Sequence, residues 1–100
     1  MIDVKLVQHR DLLDNDPLRF EVEVRQGGHM TRHDVSITRA DYQRLAGEAS
    51  PQDFIDAAFR FLLDREPPEA ILPRFDVTLI SRYFPEFERT LPRYLADVSK

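Results

Sequence analysis

No cysteine occurs among the 100 residues, so disulfides, thiolate metal sites and cysteine nucleophiles are excluded together. That absence fits a reducing compartment. Lysine is scarce as well. Lys5 and Lys100 stand in a basic complement that is otherwise arginine, which we read as the codon usage of a GC-rich genome. Long apolar runs are also lacking. The longest, such as Phe61-Leu62-Leu63, hold three residues, far short of the roughly 20 that cross a bilayer. The opening Met1-Ile2-Asp3-Val4-Lys5 alternates apolar and charged residues, where a secretory signal needs a continuous apolar stretch. The expected location is therefore the cytoplasm, with no membrane partner. Excess positive charge is missing too: 14 basic residues against 18 acidic ones give a net charge of −4. Affinity for a phosphate backbone comes mainly from neutralising it with Lys and Arg, so a nucleic-acid partner is disfavoured.

What remains is an ordinary globular complement, 42% hydrophobic and 32% charged. A chain of this length makes one domain, 1–100, and buries roughly 60–68% of its unfolded surface without metal or disulfide staples. No internal repeat or low-complexity tract divides it.

Two hydrophobic periods succeed one another along the chain. Up to about Thr38 the period is two; from about Asp41 it is near 3.6. Ile2, Val4 and Leu6 alternate with Asp3 and Lys5 in a first strand. A turn follows at Asp14-Asn15-Asp16-Pro17. Phe20, Val22 and Val24 alternate with Glu21, Glu23 and Arg25 in a second strand, and Val35 and Ile37 mark a third. Gly27-Gly28 supplies the positive φ angles of a two-residue hairpin loop. That loop predicts Gln26 facing His29, Val24 facing Thr31, Val22 facing His33 and Phe20 facing Val35. All the apolar members then share one face with His33, and a slip of one residue would expose them.

The segment 50–68 carries a full set of helix signals. Ser50 is the N-cap, Pro51 takes the first helical position, and Asp53 completes a capping box. Phe54, Ile55, Ala58, Phe59, Leu62 and Leu63 follow at helical spacing. Phe61 widens that stripe, so the helix is expected to be covered on more than one side. Pro67-Pro68 ends it, since neither ring donates the next hydrogen bond. A helical turn over 41–45 is expected before it, and a short turn over 68–72 after it, stopped by Pro73. Asp76 caps an expected helix over 77–84. Phe87, Leu91, Tyr94, Leu95 and Val98 continue as a stripe interrupted by Pro92, as one bent helix or two short ones. The expected class is α+β: a three-stranded antiparallel β-meander packed on one central helix plus C-terminal helices.

Chemistry is sparsely signalled. Of the three histidines, His29 and His33 lie on one hairpin strand, roughly 13 Å apart at about 3.3 Å per residue, too far to share a metal. His9 has no partner by spacing, and no HExxH pair exists. His33 with Asp34 fails as an acid–base pair because strand neighbours face opposite sides. Asp64 with Glu66 reads as a solvated helix end beside Arg65. Ser36, Ser50, Ser81 and Ser99 lack a nucleophile elbow. No catalytic residue, metal site or cofactor is assigned. Arg65 is placed to hold the carbonyls at the end of the central helix, or to form a recognition corner. Tyr83, Tyr94, Arg82, Arg89 and Arg93 interleave aromatic and guanidinium groups in the C-terminal third. The acidic residues there nearly balance the basic ones, which favours protein contact over nucleic acid.

The run Phe59-Arg60-Phe61-Leu62-Leu63-Asp64-Arg65-Glu66-Pro67, with Ala70-Ile71-Leu72, Phe75-Asp76, Ile80 and Tyr83-Phe84-Pro85-Glu86-Phe87, resembles a group of small bacterial proteins with no established activity. The resemblance spans about 53–89, with a weaker echo in His33-Asp34-Val35-Ser36-Ile37. It implies a bacterial, cytoplasmic, stand-alone domain and transfers no site residue. The functional expectation is a non-enzymatic accessory or regulatory protein that binds another protein or itself, through the aromatic and Arg-bearing C-terminal helices or an exposed sheet edge. The partner-binding candidates are Arg65, Arg82, Tyr83, Arg89, Arg93 and Tyr94. A small nucleic-acid-associated regulator of antitoxin type is the alternative, and an enzyme using His33 a third.

Overall fold

Gly27 and Gly28 adopt φ angles of 60° and 82°, the doubly left-handed turn whose twist matches that of the strands it joins. They connect β2 (Leu18–Gln26) to β3 (His29–Ile37), and β1 (Ile2–Val7) pairs antiparallel with the far side of β2. The hairpin register is the one the alternation predicts, from Gln26 opposite His29 to Phe20 opposite Val35. The computed structural model describes residues 2–7 and 17–98. The expected turn at 14–17, apart from Pro17, lies outside the described residues, as do His9, Ser99 and Lys100.

The sheet has four strands rather than three. A short β4 (Arg74–Asp76) adds parallel to β3, giving the order β1-β2-β3-β4. Its flanks carry the pairing further: the Asp34 amide donates to Pro73 O and the Val77 amide to Ser36 O, each at 2.8 Å. Three residues are too few to show a period, and Asp76, expected as a helix cap, forms the end of this strand instead. Its Oδ1 still accepts from Thr78 N at 2.9 Å and from Thr78 Oγ1 at 2.7 Å. The helix that follows, α3 (Leu79–Tyr83), is consequently shorter than the expected 77–84.

Between β3 and β4 run α1 (Arg39–Ala46), α2 (Pro51–Leu63) and a 3₁₀ turn, Pro68–Ala70. The first helix is longer than the turn expected at 41–45 because Thr38 caps it, its Oγ1 accepting from Asp41 N at 3.1 Å. The second starts as expected, with Ser50 Oγ accepting from Asp53 N at 3.2 Å and Pro51 in the first turn. Tyr42 donates its hydroxyl to Ala49 O and fixes the link between the two. The last helix, α4 (Phe87–Val98), is a single helix that includes Pro92. Fully buried Phe87 and Leu91 hold it against α2 despite the ladder bond the ring removes.

The core is organised around α2. Phe59 points to the sheet, with ring centroids 5.4 Å from His33 and 6.1 Å from Phe75. Phe61 points to the C-terminal helices, 4.9 Å from Phe87, 5.7 Å from Tyr94 and 5.9 Å from Phe84. Phe54 meets Tyr42 of α1 at 5.6 Å. All three phenylalanines are 0% exposed, each worth roughly 1.5–3 kcal/mol of transfer free energy. Truncation adds a cavity to that loss, so Phe61→Ala should destabilise the chain by about 3–5 kcal/mol in urea unfolding. A change within about 0.5 kcal/mol, the range of an ordinary surface substitution, would mean that Phe61 does not join the two layers.

Candidate functional site

His33 inside the core and Arg65 at its margin each anchor a polar cluster, and both resolve into structural fastenings. His33, 3% exposed, sits opposite Val22 with both ring nitrogens occupied. Nδ1 donates to Leu72 O at 2.8 Å, and Nε2 pairs with Thr31 Oγ1 at 2.9 Å. A carbonyl can only accept, so Nδ1 carries the proton. The ring thereby pins the irregular segment after Pro67 to the sheet. Asp34 lies on the opposite, exposed face with Arg74 at 3.6 Å, and among the described residues no carboxylate hydrogen-bonds His33.

Arg65 forms the second fastening. Its guanidinium lies 3.6 Å from the Phe61 ring centroid, a cation–π contact. Nη1 donates to Phe61 O at 3.2 Å, holding a carbonyl at the end of α2, and to Tyr94 Oη at 3.4 Å. Nε donates to Glu86 at 3.1 Å, and the Tyr94 hydroxyl donates to Asp64. Burial opposes the Arg65 charge, but the bonds to Tyr94 and Glu86 outweigh it and hold its pKa above the ordinary value. Glu86 immediately precedes α4. Its own backbone amide and then Arg65 hold its carboxyl below the usual range. Of the six partner-binding candidates, Arg65 and Tyr94 are thus brought together, but in an internal clamp between α2 and α4. Arg89 and Arg93 lie exposed on α4, and Arg82 is exposed on α3.

Tyr83 is different. It is 66% exposed and stands on the wall of an apolar groove of about 300 Å³. Ile71 and Leu72 from the segment after the 3₁₀ turn, Phe75 from β4, and Leu79 and Ile80 from α3 supply much of that wall, with Glu66 as its carboxylate. Leu72 is 43% exposed although its carbonyl is the one His33 holds. The two fastenings therefore frame the groove: His33 fixes one wall, and Arg65 with Glu86 fixes the junction behind Phe84, another lining residue. The sequence signal for this feature is the apolar triplet Ala70-Ile71-Leu72 bracketed by Pro67-Pro68 and Pro73. Pro73, with no N–H to donate, stops a helix or ladder from continuing past Leu72, whose side chain stays exposed while that of Ile71 is buried.

Among the described residues, no group of three or more His, Cys, Asp or Glu is placed to hold a metal ion. No helix among them is long and apolar enough to cross a membrane. No family model, no curated protein and no solved structure matches this chain.

Removing the imidazole orphans the Leu72 carbonyl and opens space beside Phe59, so His33→Ala should cost about 2–4 kcal/mol in denaturant unfolding. A cost under about 0.5 kcal/mol would contradict the pinning role. The lowered pKa of Glu86 has a definite sign. Its contribution is present above the ordinary glutamate value near 4.5 and is lost as pH falls through the lower folded value. Glu86→Gln should therefore lose less stability than the wild-type chain on acidification through that window. Parallel stability–pH curves for the two proteins would refute the linkage.

Proposed function

We propose that this chain acts in an accessory or regulatory role by binding another protein through the groove between the 3₁₀ segment, β4 and α3. One observation carries the reading: two of the large apolar side chains left exposed by the fold, Leu72 and Tyr83, line the same apolar cavity. Exposed apolar side chains scattered singly are normal, whereas contiguous ones mark contact surfaces. A volume of about 300 Å³ lies at the small end of ligand pockets and suits one or two apolar side chains of a peptide segment. Tyrosine is a residue type that dominates binding hot spots. Glu66 adds a carboxylate at which the partner would present a basic residue. Arg82, next in sequence to Tyr83, is exposed on the same helix.

The test compares an affinity pull-down from native cytoplasm using the wild-type chain with one using Leu72→Ser/Tyr83→Ser, both checked for folding by circular dichroism. A protein recovered reproducibly by the first should be retained at least tenfold less by the second, since a hot-spot loss of about 2 kcal/mol or more exceeds tenfold in affinity. Equal recovery by both, or no reproducible partner, defeats the reading. Binding to duplex DNA with steep salt dependence would replace it with the nucleic-acid regulator.

A further inference from the structure

The outer edge of β1, at one end of the strand order among the described residues, presents a pattern that matches itself. A two-residue hairpin loop closes on a hydrogen-bonded pair, so Gln26 and His29 exchange bonds, as do Val24 with Thr31, Val22 with His33 and Phe20 with Val35. The intervening residues of β3 must then turn outward. The bonds from Asp34 N to Pro73 O and from Val77 N to Ser36 O show that they do. By the same alternation Glu21 and Glu23 of β2 bond to their partners Lys5 and Asp3 on β1. The N–H and C=O groups of Ile2, Val4 and Leu6 are therefore aimed away from the sheet. Among the described residues no strand pairs with them.

Their side chains are half-buried against the core rather than enclosed by it. On the opposite face Asp3 stands across from Glu23, an anion that already holds Arg25 at 3.3 Å and Arg32 at 3.5 Å. Like charges directly opposite are destabilising. Among the described residues no cation lies within ion-pair distance of Asp3 and no anion within that distance of Lys5.

We propose that the β1 edge takes a second copy of this chain, pairing antiparallel about a two-fold axis at Val4. In that register Val4 meets its own copy, Ile2 meets Leu6, and Asp3 meets Lys5. Every outward backbone group of Ile2, Val4 and Leu6 gains a partner. The Asp3–Lys5 contacts fall at non-hydrogen-bonded positions, where facing side chains stand closest. The neighbouring hydrogen-bonding registers fail: one sets Asp3 against Asp3, the other Lys5 against Lys5. A charged residue on an edge strand ordinarily bars pairing. Here the same two charges bar the wrong registers and favour the matched one. The occupant is self rather than foreign because complementarity is already written in one strand, as an isologous contact requires. This edge and the groove lie at opposite ends of the strand order, so each can be tested without the other.

Sedimentation velocity over a wide concentration series should show the wild-type chain passing from 11.7 kDa to twice that mass. Asp3→Lys and Lys5→Asp each create like-charge contacts and should weaken association by about tenfold. Mixing the two variants should restore it, because the mixed pair matches charge at both positions. Val4→Pro removes an N–H that makes no bond within the sheet, so it should abolish association while leaving the circular dichroism spectrum intact. A wild-type chain that stays monomeric at every concentration overturns the proposal, as does a dimer indifferent to all three substitutions or a mixture that fails to reassociate.

Discussion

Phe59 and Phe61 are two positions apart on α2, which places them roughly 200° around the helix axis. Both are 0% exposed. That geometry makes one helix the middle layer of the molecule, with the sheet on one side and α4 on the other. A surface helix buries one stripe, and a helix apolar all round must be enclosed. Everything else is arranged by that demand. The meander supplies a lid for the Phe59 side, α4 supplies one for the Phe61 side, and α1 closes on Phe54 through Tyr42. Pro51 opens the helix in its first turn, and Pro67-Pro68 beyond its last turn keep it from running on into solvent.

Enclosure leaves polar groups to be satisfied inside, and the molecule does so twice at the margins of the same helix. His33 answers a carbonyl of the segment that leaves α2, and Arg65 answers a carbonyl of its last turn. Such residues attract functional attention because histidine and arginine are the usual carriers of chemistry. Their partners show another use. With both nitrogens engaged, His33 is a bolt, and a guanidinium stacked on Phe61 is a clasp. The groove between them is a by-product of this bracing, since the braced segment cannot collapse into the hole.

Local signals were legible and non-local ones were not. The hairpin register followed from two glycines and an alternation, and the start of α2 from a serine, a proline and an aspartate in sequence. These depend on neighbours along the chain. Phe61 showed that α2 is covered twice because its position breaks a single stripe. By contrast, β4 is three residues long and pairs with a strand far back in the sequence, so no window contains its reason for existing. Asp76 illustrates the ambiguity: the same side chain that caps helices here ends a strand and organises the turn after it. Arg65 was legible as a holder of carbonyls, but not its bond to Glu86. Tyr83 was legible as a contact candidate, but not the groove it lines, because Leu72 and Phe75 arrive there from elsewhere in the chain.

The parallel join of β3 to β4 has a temporal meaning. Ser36 and Asp76, joined at that seam, are separated by 40 positions, and chain entropy must be spent on closing that loop before the seam returns anything. The hairpin and α2 carry their instructions locally and face no such delay. On that entropy argument the hollow beside Phe75 would mature after the hairpin and α2. A partner of the kind proposed above would meet that hollow on finished molecules and pass over partly folded ones.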